Sequence, residues 1–91
     1  MTITYHAKIK MEERLIPEKV INKAIKQGKK FIKNNRLLYS YGIYIIVVDI
    51  ENTTIITVHY ISRVTDSIRD IAEKFNISFT DAVQDYLKYV I

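Results

Sequence analysis

The fold of this 91-residue chain is decided by residues 36–61, which read RLLYSYGIYIIVVDIENTTIITVHYI. β-Branched and aromatic residues dominate this stretch, and its hydropathy repeats every two residues, which is typical of strands. We predict strands at Arg36–Tyr41, Ile43–Ile50 and Thr54–Ile61, and a further one at Lys30–Lys33. The connections are too short for crossovers, so the four strands are expected to form an antiparallel meander.

Tight turns are predicted at Asn34-Asn35 and at Ile50–Thr53. A two-residue loop at Glu51-Asn52 would fix the register of the last hairpin. In that register the expected core face carries Ile43, Ile45 and Val47 with Ile56, Val58 and Tyr60, and the mixed face carries Tyr44, Ile46, Val48, Ile55, Thr57 and His59. Because Ile43–Val48 is continuously apolar, both faces of that strand are expected to be at least partly covered.

Two short helices are predicted before the meander. The first covers His6–Ile16 and is N-capped by Thr4. The second begins at Pro17, where the missing N–H is harmless, and ends at Gly28.

Helical spacing returns in the last third of the chain. One helix is expected to be capped by Thr65 or Asp66, and the final helix to open at Ser78. The inward-facing residues of this pair are expected to include Phe75, Phe79 and Val90.

The predicted element order is therefore ααββββαα, an α+β fold in which helices pack against an antiparallel sheet. A chain of this length supports one core, so we expect a single domain over residues 1–91, with residues 62–91 as a C-terminal helical pair.

Composition excludes several classes of chemistry. The chain has no cysteine, which excludes disulfides, thiolate catalysis and cysteine-ligated metals. Two glycines cannot build a Gly-rich phosphate loop. The two histidines and the carboxylates show no metal-ligand spacing, so we expect neither a metal nor a cofactor. No apolar run has the length of a membrane span and no secretory signal is visible, so a soluble, cytoplasmic protein without a membrane partner is expected.

Charge is distributed unevenly along the chain. Residues 1–36 carry a net charge of +7, whereas residues 37–91 carry −3. A basic half favours a polyanionic partner such as a nucleic acid or an acidic protein, although solvated helix faces would give the same pattern. The residues expected to track a nucleic-acid backbone recur at spacings of four, three and four: Lys19, Lys23, Lys26 and Lys30.

His6, Lys10 and Arg14 fall on one face of the first predicted helix. Lysine and arginine can hold phosphate oxygens, and an imidazole can move a proton, so this set suits a phosphodiester. The alternative is a solvated helix face with an incidental histidine. His59 is a secondary candidate, which the expected register places near Tyr44, although a strand histidine is more often structural.

The segment HAKIKMEER at residues 6–14, with Ile16, Val20 and the strand that ends Ile55–Tyr60, resembles a family of small toxin-like domains. That family reads His-Ala-x-x-Arg-Met-x-x-Arg-(Gly)-Ile before a second helix and a meander, and is grouped with the RelE and BrnT toxins of the barnase–colicin–RelE ribonucleases. The resemblance covers roughly residues 5–61 and excludes the C-terminal helices. Lys10 stands where the family has arginine, and Leu15 where glycine is common.

The resemblance implies an RNA-binding, metal-independent endoribonuclease. His6 and Arg14 would be its catalytic residues and Lys10 a phosphate contact.

A different class of function is a non-enzymatic regulator or inhibitor, encoded by a virus or plasmid, that binds nucleic acid or a host protein. The C-terminal helices loosely match a helix-turn-helix. The second helix begins with Thr80, Asp81, Gln84 and Asp85 at its exposed positions, and these acids would repel DNA phosphates. We therefore expect residues 66–91 to close the core, self-associate or contact another protein. The resemblance implies RNA rather than DNA as the nucleic-acid partner.

Overall fold

The computed structural model describes residues 1–90. It has four helices and five strands in the order β1 (Thr2–Ile3), α1 (Tyr5–Arg14), α2 (Glu18–Gln27), β2 (Lys29–Lys33), β3 (Arg36–Tyr41), β4 (Tyr44–Asp49), β5 (Thr54–Tyr60), α3 (Ser62–Phe75) and α4 (Phe79–Tyr89). The strands form one mixed sheet in the order β1-β5-β4-β3-β2. The α+β class is confirmed, and β2 to β5 form the antiparallel meander that the sequence predicts.

The fifth strand, β1, is absent from the sequence-based prediction. It has only two residues, which are too few to show a period, and it pairs parallel to β5 through Thr2↔Thr54 and Ile3↔Ile55. Thr4 continues the contact, since its amide donates to the Ile55 carbonyl over 3.1 Å and its hydroxyl to the same oxygen over 2.9 Å. The Thr4 hydroxyl also accepts from the Ala7 amide, so the predicted N-cap of α1 is confirmed.

The ends of α1 and α2 differ by a few residues from the prediction. α1 stops at Arg14 because Leu15 adopts a left-handed conformation with φ 53°, the position at which the resembling family commonly has glycine. Pro17 is the extended N-cap of α2 rather than its first residue. Gly28 ends α2 as predicted, and it must be glycine for space, because a Cβ there would lie 2.5 Å from the Ala24 carbonyl oxygen.

α3 begins before the predicted cap. The chain enters the helix directly from β5, and the amides of Val64 and Thr65 both donate to the Ile61 carbonyl. Thr65 is therefore no cap, and its hydroxyl donates to the Tyr60 carbonyl over 3.2 Å. Ser78 caps α4 as predicted by accepting from the Asp81 amide.

The predicted register of the last hairpin holds next to the loop, where Asp49 pairs with Thr54 and Val48 with Ile55, and fails beyond these two pairs. Its loop has four residues, Ile50–Thr53, and Asp49 holds the loop by accepting from the Glu51 amide. A bulge at Ile56 shifts the pairing by one residue between Val47 and Val48. Tyr44 therefore pairs with Tyr60 and Ile46 with Val58.

The shift places Val58 and Tyr60 on the same face as Ile55. The buried residues of β4 are Ile46 and Val48, so the core lies on the face opposite to the predicted one, which carries Ile45 and Val47.

The sheet has one face against the helices, which we call the core face. Its strand residues are 5% exposed or less and share one cluster with the buried helix residues: Tyr39, Ile46, Val48, Ile55, Val58 and Tyr60. The opposite side, the open face, carries Leu38, Ile45, Val47, Thr57 and His59, all only partly buried. Within residues 1–90 the buried helix residues pack on the core face, whereas Ile45 and Val47 of β4 are partly buried on the open face.

Two predicted core residues lie at helix ends and point outward. Phe75 is the last residue of α3 and Val90 follows α4, and they are 61% and 60% exposed. Phe79 is half-buried against the core. Over the described residues, no helix combines the length and apolarity needed to cross a bilayer.

Candidate functional site

A groove lies along the edge of β5 beyond the two residues paired with β1. It has a volume of about 530 Å³, and residues of α1, β5, α3 and α4 line it. We call it the β5 groove. Besides Tyr60, the polar side chains in it are two arginines, one histidine, three serine or threonine hydroxyls and two carboxylates: Arg14, Arg69, His59, Thr57, Ser62, Thr65, Glu13 and Asp66.

Three elements place these groups. Arg14 is in the last turn of α1, which packs along β5. His59 is near the end of β5, on the open face opposite Ile45. The α3 residues recur at spacings of three, one and three, which is one face of a helix: Ser62, Thr65, Asp66 and Arg69.

Arg14 is held to β5 by its side chain and by its backbone carbonyl. Its Nη1 donates to the Val58 carbonyl over 2.6 Å, and its own carbonyl accepts from the Tyr60 hydroxyl over 2.5 Å. Burial lowers the pKa of the Arg14 guanidinium; Glu13 opposes this effect and Arg69 adds to it. An arginine keeps its proton in proteins and carries five N–H donors, so Arg14 retains donors for a ligand after this bond is made.

The two arginines of the groove lack a carboxylate at ion-pair distance. In residues 1–90 the one ion pair within 4.0 Å joins Lys10 and Glu13, at 3.1 Å. Arg69 is exposed and near enough to lower the pKa of Arg14. Two guanidinium groups in this arrangement favour an anionic ligand, and phosphate oxygens match their planar geometry.

His59 has its tautomer set by the backbone. Its Nδ1 lies 2.9 Å from the Tyr60 carbonyl oxygen. Because a carbonyl oxygen can only accept, the neutral ring carries its proton on Nδ1, which leaves Nε2 as an acceptor. The groove therefore combines cations with a group that can receive a proton.

The predicted α1 residues separate in the structure. His6 is exposed in the first turn of α1, and Lys10 pairs with Glu13 one turn before Arg14. Of these three residues, Arg14 alone is among the described residues that line the β5 groove.

The predicted lysine stripe is also divided. Lys19, Lys23 and Lys26 are exposed on α2, whose buried residues face the core. Lys30 belongs to β2, and its Nζ lies 5.8 Å from the centre of the Tyr39 ring.

The predicted proximity of Tyr44 and His59 is wrong. Tyr44 lies on the core face, where its ring centre is 5.6 Å from that of Tyr60. His59 lies on the open face of the neighbouring strand.

Sequence reasoning missed Arg69, Ser62 and Thr65. The signal was available, because these residues form a polar helical stripe directly after β5, but it becomes visible only when α3 starts at Ser62. In the described part of the chain, no group of three or more histidine or acidic side chains could hold a metal ion.

No protein-family model matches the chain, and the comparisons with curated proteins and with solved structures give no match.

The buried Tyr60 predicts a loss of stability in alkali. Burial, and to a lesser degree Tyr44, raises the pKa of Tyr60 above its ordinary value, against the opposing effect of Arg14. The unfolded chain then loses this proton first, at about pH 10, while the folded chain keeps it. The contribution of Tyr60 to the free energy of unfolding is therefore complete below about pH 10. Above that pH it falls, by up to about 1.4 kcal/mol per pH unit.

Urea unfolding at about pH 8 and about pH 11 measures this effect in the wild type and in Tyr60→Phe. We expect the variant to be less stable near neutrality and to lose less stability in alkali. Equal losses in the two proteins would contradict the assignment.

Arg14→Ala is expected to lower the free energy of unfolding by about 1–3 kcal/mol, because the Val58 carbonyl loses its charged donor. Lys10→Ala, one turn earlier, should change it by no more than about 0.5 kcal/mol. Urea unfolding of the two variants makes the comparison, and equal effects would show that the Arg14 contact does not stabilise β5.

Proposed function

We propose that the protein binds single-stranded RNA in the β5 groove and cleaves it without a metal ion. The observation that carries this proposal is the shared position of Arg14, Arg69 and His59. Two guanidinium groups without a carboxylate at ion-pair distance in residues 1–90 line the same groove as an imidazole whose Nε2 is free to accept.

The chemistry follows from these three groups. His59 Nε2 accepts the proton of a ribose 2′-hydroxyl, whose oxygen then forms a bond to the adjacent phosphorus. The bond from phosphorus to the 5′-oxygen breaks, and the imidazolium returns its proton to that leaving oxygen. Arg14 and Arg69 bind the phosphate oxygens and stabilise the charge that develops on them. The products are a 2′,3′-cyclic phosphate and a 5′-hydroxyl.

The substrate class follows from the same step. The attacking oxygen belongs to the substrate, so RNA is cleaved and DNA is not. The net charge of +7 in residues 1–36 supports binding of an extended polyanion beyond the groove.

Incubation of labelled single-stranded RNA with the protein and a chelator tests this function. We expect cleavage to persist in the chelator, to leave cyclic phosphate ends, and to stop at a nucleotide that carries a 2′-deoxy substitution. Cleavage that requires Mg²⁺, or that proceeds equally on DNA, would contradict the proposal.

The second candidate is a non-enzymatic regulator or inhibitor that binds nucleic acid or a host protein. It is favoured by the acids Glu13 and Asp66 and by the presence of one histidine, rather than two, among the described residues of the groove. The salt dependence of binding separates the two partners. RNA binding without cleavage, with an affinity that falls steeply as salt rises, supports a nucleic-acid regulator; a flat dependence supports a protein partner.

Arg69 offers a test of RNA binding that leaves the fold intact, because its side chain is exposed on α3. Arg69→Ala should weaken RNA binding by about tenfold and reduce the salt dependence by about one phosphate contact. Arg63→Ala is the matched control, since Arg63 is an exposed arginine of the same helix that is not among the described residues of the groove. Equal affinities of the two variants would place RNA outside the groove.

A further inference from the structure

The two edges of the sheet differ in how their backbone groups are paired. At the β5 edge, β1 pairs with Thr54 and Ile55, and Thr4 and Arg14 donate to carbonyls further along the strand. At the other edge, β2 pairs with β3 alone among the described strands. Unpaired backbone N–H and C=O groups along an edge strand are a template for another strand.

β2 has the properties of a strand that accepts a partner. All five residues of Lys29–Lys33 are exposed, and two of them are large and apolar, with Ile32 75% and Phe31 49% exposed. Lysine on an edge strand can also protect against pairing with another strand. An edge strand that is five residues long and apolar at its centre favours such pairing.

Charge selects the kind of partner. An antiparallel pairing of two copies of β2 centred on Phe31 would bring Lys29 opposite Lys33 twice, and like charges in that position are destabilising. Lysine occupies three of the five positions of β2, so a strand with carboxylates opposite them is complementary.

We propose that β2 binds an extended acidic segment of another protein, which adds to the sheet as a sixth strand. The site is independent of the β5 groove, since the two lie at opposite edges of the sheet.

The register of β2 sets the pattern of that segment. Phe31 shares the open face with Lys29 and Lys33, whereas Lys30 and Ile32 share the core face with Tyr39 and Leu37. From its N-terminus, an antiparallel partner therefore has the pattern acidic, apolar, apolar, acidic, acidic. In such a segment valines lie opposite Ile32 and Phe31, and glutamates lie opposite the three lysines.

A titration of the full chain with the capped peptide Thr-Glu-Val-Val-Glu-Glu-Thr, followed by the backbone amide signals in NMR spectra, tests the proposal. We expect the largest shifts in β2, and binding at least about tenfold tighter than for the same peptide with lysines in place of glutamates. Methylation of the peptide's backbone nitrogens should abolish binding, because it removes the donors of strand pairing.

The double variant Lys30→Glu, Lys33→Glu should prefer the lysine peptide. Lys19→Glu, Lys23→Glu on α2 makes the same change in net charge and should leave the peptide preference unchanged. Thermal unfolding checks that both variants fold.

Three results would overturn the proposal. They are tight binding of the methylated peptide, a dimer formed through β2 in sedimentation experiments, and single-stranded RNA that binds β2 more tightly than the acidic peptide does.

Discussion

Replacing Ile46 with alanine is expected to lower the free energy of unfolding by about 2–5 kcal/mol. Ile46 is 0% exposed, in the central part of β4, and pairs with Tyr39 on one side and Val58 on the other. Both neighbours are buried on the core face, so the space left by the missing methyl and methylene groups cannot be filled by solvent.

Ile45 is the matched control for this substitution, because it is also an isoleucine and lies one residue earlier, on the open face. It is only partly buried and does not join the core cluster, so Ile45→Ala should cost no more than about 1 kcal/mol. Urea unfolding of the two variants decides which face of β4 forms the core. A larger loss for Ile45→Ala would mean that the opposite face of the strand is the core.

His59→Ala is expected to reduce the rate of RNA cleavage by about 10²–10⁴-fold, because the groove loses its proton acceptor. Binding of RNA should change little, since Arg14 and Arg69 remain. His6→Ala is the matched control, as His6 is an exposed histidine in the first turn of α1. Cleavage rates at saturating RNA, with thermal unfolding to check the fold, measure both effects.

The opposite outcome has a definite meaning. If His6→Ala abolishes cleavage and His59→Ala does not, the catalytic face is the one formed by His6, Lys10 and Arg14 on α1. The β5 groove would then serve another purpose.

The elements of this fold were predictable because their hydropathy periods are distinct. Gly28, Thr4 and Ser78 mark helix ends through local interactions that the sequence displays directly. Asn34 and Asn35 both adopt the left-handed conformation of a tight hairpin turn, as their residue type predicts.

The core face of β4 and its full pairing with β5 were not predictable by the same means. Ile43–Val48 is apolar at every position, so alternation cannot say which residues face the core. The bulge at Ile56 is a further feature that the pattern of residues does not mark.

The candidate site depends on that register, which explains why it was only partly predicted. Arg14 and His59 were both candidates, but each had been assigned to a different partner, His6 in one case and Tyr44 in the other. The bulge places His59 on the open face, and the hydrogen bond from Arg14 to the Val58 carbonyl brings Arg14 to the same groove. Arg69 was missed because the start of α3 has no polar N-cap residue, since its N-cap is Ile61.

The pairing of β1 with β5 has a consequence for the kinetics of folding. The contact between Thr4 and Ile55 closes a loop of 51 residues, whereas each hairpin of the meander closes through a short turn. Hairpins form first because their closure costs little chain entropy, and the N-terminal strand can dock only on a β5 that already exists. Interactions made after the rate-limiting step slow unfolding without speeding folding. We therefore expect loss of the Thr4 contact to speed unfolding and to leave the rate of folding nearly unchanged.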